Sequence, residues 1–394
     1  MHVVILGPDD FGNGVARVLG SWVAMLHGAG HKVTLVAMPP ADPDRAQGLP
    51  EGVARIGTPL FEELSGLKRL NALGTAGAEI VAGLTDVDLV ITHFQYQALA
   101  VRARLPKVRI LATWHSPLVE EDYLNSWKYG RTMRRATYPL RRFALGRMER
   151  QALAAVDHVH TLSDFTWSRL NRHYPSVCAG KPWTRVPGCF DPRFRPPMDR
   201  AGLRKQLGLP KETPVLLSIR RLVPRNAPER ILAAAKAARD AGVDALFLIG
   251  GAGELGDRMK DEIRAEGLQD SVRMLGFLAE EDLPRWYQAA DATLMPTRDL
   301  ECFGLPVVES LACGVPCLAT PCGSPSEILA PFAGMLADAN TAGAFTDRVL
   351  GFLRGEIEFE SAELARHARA TYSEEAVQEA AHRLIVSIVA SAAA

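Results

Sequence analysis

Short apolar runs rich in β-branched residues alternate with amphipathic stretches along this chain, and that alternation restricts the fold more than any single motif. His2-Val-Val-Ile-Leu-Gly7 has the unbroken apolar centre of a parallel strand buried on both faces. Asn13 to Ala29 puts Val15, Val18, Leu19, Trp22, Val23 and Leu26 on one helical face, and Gly28 and Gly30 end it. The pattern predicts further strands at Lys32–Ala37, Leu89–Thr92, Arg109–Thr113 and His158–Leu162, with helices between. Repeated strand–helix units build a doubly wound parallel sheet.

The repeat is interrupted once. Pro187-Gly188, Asp191-Pro192 and Pro196-Pro197 crowd turn formers into one connection. Beyond it, strands are expected at Val215–Ile219, Ala245–Gly250, Val272–Leu275, Ala292–Met295 and Cys317–Ala319. Helices are expected at Ala227–Ala241, Glu254–Glu266, Glu281–Ala290 and Leu305–Cys313. The expected architecture is α/β, with two Rossmann-like domains facing across a cleft. Residues 1–190 form the first and 191–371 the second, and a helix within 372–394 packs back on the first. At 394 residues and 47% hydrophobic, the chain can fill two cores.

The 45 basic and 45 acidic residues cancel, which argues against a nucleic-acid binder. They are unevenly spread: residues 101–150 hold 12 basic against 4 acidic. Lys128, Arg131, Arg134, Arg135, Arg141, Arg142, Arg147 and Arg150 read either as a solvated helical face or as a dock for anionic lipid or a phosphorylated acceptor. Pro139 is expected to keep this stretch from being one long helix. The six cysteines form no Cys-x-x-Cys pair, and no His stands at zinc-finger spacing. No metal site and no bound cofactor are expected. Without a leader or an apolar span of about 18–20 residues, the expected location is the cytoplasm, with at most peripheral membrane contact.

Glu301-Cys-Phe-Gly-Leu-Pro-Val-Val-Glu309 is the strongest chemical signal. Phe303-Gly304-Leu305-Pro306 turns into a helix. Gly304 lets a phosphate approach the backbone, and Pro306 occupies a first-turn position whose N–H has no helical partner. The helix N-terminus is an anion site. Glu309, one turn inside, can accept both hydroxyls of a ribose, and Glu301 can face a sugar. Taken alone, the same spacing also fits a buried carboxylate pair beside an ordinary helix.

Together with Phe247-Leu-Ile-Gly-Gly-Ala-Gly253, Leu275-Gly-Phe277, Arg220-Arg-Leu-Val-Pro-Arg225 and Ala312-Cys-Gly-Val-Pro-Cys-Leu-Ala319, this segment resembles family 4 of the glycosyltransferases, of the GT-B fold. Trp114-His-Ser-Pro117, Leu162-Ser-Asp-Phe-Thr166 and Val186-Pro-Gly-Cys-Phe-Asp191 are similar to the same family's landmarks in the same order. The resemblance implies that Glu309 binds the ribose of a nucleotide sugar. It implies that Glu301, with Cys302, Phe303, Gly304 and Leu305, holds the donor sugar and diphosphate, that Arg221 neutralises the departing diphosphate, and that Gly276 and Phe277 lie along the base. Where the family carries Lys-Gly, this chain has Asn226-Ala227, and Arg225 is the nearest replacement cation.

In the first half, Gly12-Asn13-Gly14 is similar to the family's glycine-rich phosphate loop, and also fits a plain tight turn. Arg17 stands where a dinucleotide fold needs a third Gly, which counts against NAD. His115 falls where the family places a His beside the transferred sugar; a satisfied loop histidine is the alternative. His93 and Asp122 are candidates for the acceptor side, with Glu120 to Asp122 equally readable as a solvated acidic loop. The implied reaction retains anomeric configuration, needs no metal, and moves a sugar from a nucleotide donor, UDP by default, to an acceptor hydroxyl. A nucleotide-sugar epimerase of the same fold and a catalytically impaired nucleotide-sugar-binding protein remain alternatives.

Overall fold

The computed structural model describes residues 1–8, 14–38, 49–59, 61–64, 66–129 and 132–391. The chain divides into two compact units, Met1–Gly188 with Val377–Ala394, and Cys189–Ala376. Each is a parallel-sheet α/β unit, as the strand–helix repeat predicts.

The first unit holds β1 (His2–Pro8), β2 (Lys32–Met38), β3 (Ala54–Gly57), β4 (Leu89–Thr92), β5 (Ile110–Trp114), β6 (His158–Thr161) and β7 (Trp183–Arg185). They pair in parallel in the order β3-β2-β1-β4-β5-β6-β7. Val3, Val4, Ile5 and Leu6 are sealed from solvent, as a strand covered on both faces requires. β3 and β7 escape the sequence pattern for a physical reason. They are short edge strands, exposed or half-buried, so nothing selects an apolar run there. The last helix, Glu374–Ala390, crosses from the second unit into the first. Val377, Ala381, Leu384, Ile385 and Ile388 are its buried residues.

One alternative reading and one expectation fail in this unit. The stretch after His115 is not a solvated loop but a short helix, Leu118–Asp122, that runs into a π-helical turn, Tyr123–Lys128. Pro139 does not interrupt the basic stretch: one helix runs from Thr132 to Ala155. Proline lacks the N–H that would meet the Arg135 carbonyl and crowds that carbonyl. The inward face, Tyr138, Leu145, Met148, Ala152 and Leu153, is buried and carries the helix through the defect.

The second unit holds β8 (Val215–Ile219), β9 (Leu246–Gly250), β10 (Val272–Gly276), β11 (Ala292–Met295) and β12 (Cys317–Ala319), parallel in the order β10-β9-β8-β11-β12. Phe247, Ile249, Leu294, Leu318 and Phe345 centre its core. In each sheet the strand order reverses once, beside β1 and β4 in the first and beside β8 and β11 in the second. The crevice beyond the carboxyl ends at such a switch point is where open parallel sheets bind ligands.

Candidate active site

Arg220 leaves β8 at the switch point of the second unit. Its guanidinium pairs with the Glu301 carboxylate and bonds the Thr297 hydroxyl, both in the segment after β11. The ion pair ties together the two loops that diverge from the switch point. The sequence assigns Arg220 no role, because a pairing across 81 positions leaves no local signal. Its neighbour Arg221, the expected diphosphate ligand, is exposed. The glycine run after β9 packs beneath both. Gly251 and Gly253 lie so close to the Arg220–Leu222 backbone that a Cβ would come within 2.0 Å of the Arg220 carbonyl oxygen and 2.4 Å of the Leu222 carbonyl oxygen. Gly251 N–H donates to the Gly276 carbonyl at 2.6 Å, and Gly276 and Phe277 are exposed at the carboxyl end of β10.

The helix Leu305–Ala312 starts from Gly304 at φ +86°, with Pro306 in its first turn. Among the described residues no side chain caps this N-terminus, and no carboxylate lies in its first turn, so its positive end is open to an anion. A Cβ at Gly304 would sit 3.1 Å from Met295 Cε. Cys302 and Leu305 are half-buried and Phe303 is buried, its ring edge-on to Tyr372 at 6.2 Å. Glu309 is almost sealed and accepts a hydrogen bond from the Tyr287 hydroxyl. Burial first, and the Glu309 charge second, push the Tyr287 phenol well above its ordinary range, so it stays a donor. Tyr287 is a second residue that the sequence reading missed.

Arg225 lies in a 3₁₀ turn, Pro224–Asn226. Its carbonyl accepts from Arg298 N at 2.8 Å and Asp299 N at 3.2 Å, which pins this turn to the segment leading to Glu301. Asn226, at the family's lysine position, is buried and donates through Nδ2 to the Arg221 carbonyl at 2.8 Å. It acts on the backbone of the arginine loop instead of offering a charge. Ala227 has φ +49° and Leu300 has φ +49°, so two non-glycine residues hold left-handed backbone on either side of that junction.

In the first unit, His93 follows β4 and His115 follows β5. His93 Nδ1 and His115 Nε2 share a hydrogen bond at 3.0 Å, and the rings stack at 5.2 Å. His160 on β6 completes the group; it bonds the Thr113 hydroxyl and, at 2.8 Å, the Val186 carbonyl. Desolvation, then mutual repulsion, keeps the group neutral: His115 is pushed down to about 3 and His93 well below its usual value. For His160, pushed down to about 4, burial outweighs the upward pull of the Val186 carbonyl. Among the described residues, His93 Nε2 is buried without a hydrogen-bond partner. Glu149 anchors the His115 loop from beneath. Its sealed carboxylate accepts from Trp114 Nε1 at 3.0 Å, Leu118 N at 2.7 Å and the Tyr174 hydroxyl at 2.8 Å.

Asp122 is engaged by the segment that follows it. It is buried, paired with Arg141 and bonded by the Ser126 hydroxyl at 2.9 Å, which makes it a support of the π-helical turn. Glu120 is held by Arg169 and His173, each at 2.7 Å. Gly12 lies outside the described residues, and Gly14 opens the helix Gly14–Gly28.

Comparison with known proteins follows the same division. Residues 12–194 match the family model of Glycosyltransferase Family 4, and residues 199–371 match that of glycosyl transferases group 1. The chain is 30% identical over 210 residues to a Corynebacterium glutamicum GDP-mannose-dependent monoacylated alpha-(1-6)-phosphatidylinositol monomannoside mannosyltransferase, covering 50% of this chain and 53% of that one. It is 31% identical over 243 residues to D-inositol 3-phosphate glycosyltransferase 2 of Catenulispora acidiphila, covering 59% and 54%. The chain thus spans about half the length of these curated relatives. Among solved structures, sucrose-phosphate synthase of Thermosynechococcus elongatus superposes with a TM-score of 0.81 over 99% of this chain and 100% of that one, at 20% identity. Anabaena HepE in complex with UDP-glucose superposes at 0.73 over 98% and 100%, at 16% identity. With both halves matched, the chain belongs to family 4 of the glycosyltransferases and has the GT-B fold.

Proposed function

We propose that this chain is a retaining glycosyltransferase that carries a sugar from a nucleotide-sugar donor to an acceptor hydroxyl without a metal ion. The observation that carries the reading is the uncapped N-terminus at Gly304, set beside the Arg220–Glu301 pair at the switch point, with buried Glu309 one turn inside. Glu309, oriented by Tyr287, takes the ribose hydroxyls. Glu301 and the backbone of Cys302, Phe303 and Gly304 take the donor sugar and the diphosphate. Arg221 and Arg225 offset the charge that develops on the diphosphate as the glycosidic bond breaks. The departing phosphate oxygen receives the acceptor proton on the same face, so configuration is kept. His115, neutral at physiological pH, exchanges a hydrogen bond with a hydroxyl of the transferred sugar.

UDP is the default nucleotide; the relatives above include a GDP-mannose user, so GDP-sugars are the first competitors. The names of those relatives, and the cationic excess of residues 101–150, support an acceptor that carries phosphate. A thermal-shift panel of UDP-, GDP- and ADP-sugars identifies the donor. With that donor, the product's anomeric proton coupling in NMR must match the donor's configuration; inversion would end the reading. Turnover must persist in excess EDTA, and loss reversed by Mg²⁺ or Mn²⁺ would end the metal-independent part.

A further inference from the structure

A neutral imidazole carries one N–H and one bare nitrogen, so buried histidines that bond one another have few ways to place their protons. His160 shows how a partner fixes the choice. The Val186 carbonyl can only accept, so His160 carries its proton on Nε2, 2.8 Å away, and its Nδ1 receives the Thr113 hydroxyl proton at 3.1 Å. Both of its nitrogens are then satisfied. His93 and His115 share one bond, Nδ1 to Nε2 at 3.0 Å, so a single proton lies between them. Burial keeps both rings uncharged, so neither brings a second one. Two arrangements remain. If His115 Nε2–H donates, His93 must carry its own proton on Nε2, which is sealed and has no partner among the described residues. A buried N–H without an acceptor is rare in proteins, because its desolvation is not offset by any bond. If His93 Nδ1–H donates, the same Nε2 is a bare lone pair, the more commonly tolerated defect. The ring has no room to turn toward water. His93 is 2% exposed, its backbone N–H bonds Leu6 O at 3.2 Å and Gln97 Oε1 at 3.3 Å, and a Cβ at Gly7 would already lie 3.5 Å from the His93 ring.

We propose that His93 is the positioning residue of His115: its Nδ1–H donates to His115 Nε2, holds that ring as the Nδ1–H tautomer, and leaves it to donate, not accept, toward a substrate. The accepting nitrogen of His115 is engaged by His93. Among the described residues His115 makes no other hydrogen bond, and it is half-buried where His93 is sealed, so Nδ1–H is the group left for a ligand. A donor in that place can hold a substrate oxygen. It cannot take a proton from an attacking hydroxyl, so deprotonation of the acceptor falls to another group, as a departing phosphate oxygen would provide. His93 itself has no donor left to offer, which places it behind His115 and not on the acceptor. The direction of the bond rests on the geometry of the first unit alone. That the Nδ1–H meets a hydroxyl of the transferred sugar rests on the transferase reading above.

The experiment is a long-range ¹H–¹⁵N correlation spectrum of the full ¹⁵N-labelled chain at pH 7, which reads the tautomer of each histidine with no ligand present. The His115 signals, assigned by their loss in His115→Gln, are expected to show a protonated Nδ1 and a bare Nε2. A protonated Nε2 overturns the proposal. His93→Asn keeps an N–H in the place of Nδ1 and is expected to retain the tautomer and most of the turnover of the UDP- or GDP-sugar that the thermal-shift panel selects. His93→Leu removes the donor. His115 is then expected to shift toward the Nε2–H form, and kcat to fall by roughly two- to tenfold, the worth of one oriented hydrogen bond, with the affinity for free UDP or GDP unchanged. Equal losses in the Asn and Leu variants, or wild-type tautomer and turnover in the Leu variant, overturn the proposal. Where His93→Leu fails to fold, the wild-type spectrum decides. A chain that shows the expected tautomer but turns over no nucleotide sugar removes the transferase reading, and with it only the assignment of the Nδ1–H to a sugar hydroxyl.

Discussion

At the scale of single residues, the proposed donor site rests on side chains whose partners the structure supplies. Glu309 accepts from Tyr287 in an almost dry position, where a hydrogen bond to a charged group contributes about 1.5–3 kcal/mol. Glu309→Gln should therefore weaken nucleotide binding by roughly tenfold or more while leaving the rate at saturating donor less affected. Tyr287→Phe should follow in the same direction but more mildly, because it removes the orienting bond and keeps the carboxylate. Calorimetry that shows unchanged donor affinity in Glu309→Gln removes the ribose assignment. Arg225 faces a different test. Asn226 is buried and spent on the Arg221 carbonyl, so the family's lysine charge has no direct counterpart. If Arg225 supplies it, Arg225→Ala lowers turnover by about ten- to a thousandfold through lost transition-state stabilisation. Normal turnover in that variant passes the role to Arg221 alone.

At the scale of elements, the loops beyond β8 and β11 are held in one arrangement by backbone as much as by charge. Arg225 contributes its carbonyl to the Arg298 and Asp299 amides, and the chain adopts left-handed conformations at Ala227 and Leu300 on either side. A non-glycine residue costs about 1–2 kcal/mol there. Ala227→Gly should relieve this cost, against a loss of about 0.8 kcal/mol for the buried methyl group. The expected result in urea unfolding is unchanged or slightly raised stability. At a residue with ordinary φ the same change destabilises by about 1 kcal/mol. A loss of that size would show that the position is not strained.

At the scale of the whole molecule, the three buried-facing histidines of the first unit make stability depend on pH. Their folded-state values lie below the unfolded value, His115 at about 3, His160 at about 4 and His93 well below its usual range. The unfolded chain therefore binds more protons below pH ~6.5. Stability is fully present above that pH and is lost as pH falls toward the folded values. Each such histidine contributes a slope of up to about 1.4 kcal/mol per pH unit. For fully sealed His160, His160→Gln should reduce the fall in urea midpoint between pH 7 and pH 5. An identical fall in the variant would show that the acid sensitivity lies elsewhere. Glu149 works in the opposite sense: burial, only partly countered by its bonds from Leu118 and Trp114, raises its carboxyl. Its stabilising contribution is present below the unfolded value and fades as pH rises through the folded one.

The sequence by itself determined the class of fold, because buried parallel strands must be apolar throughout and their helices must repeat on one face. β4, β8, β11 and β12 begin and end where that rule predicts. It also determined the turn at Gly304, since glycine takes the left-handed backbone there without strain and Pro306 fits the first helical turn. Tertiary structure alone decided which cation meets Glu301, what orients Glu309, and that Asp122 turns inward to Arg141. These pairings join residues distant in the chain, or, for Asp122, hang on whether Pro139 breaks a helix. Packing of Tyr138, Leu145 and Met148 settled that question, and it also left Leu140 and Phe143 facing solvent on the outer face of the same helix. Strand order sets the rest, for it is adjacency of β8 to β11 that brings Arg220 to Glu301, and no local pattern encodes which strands become neighbours.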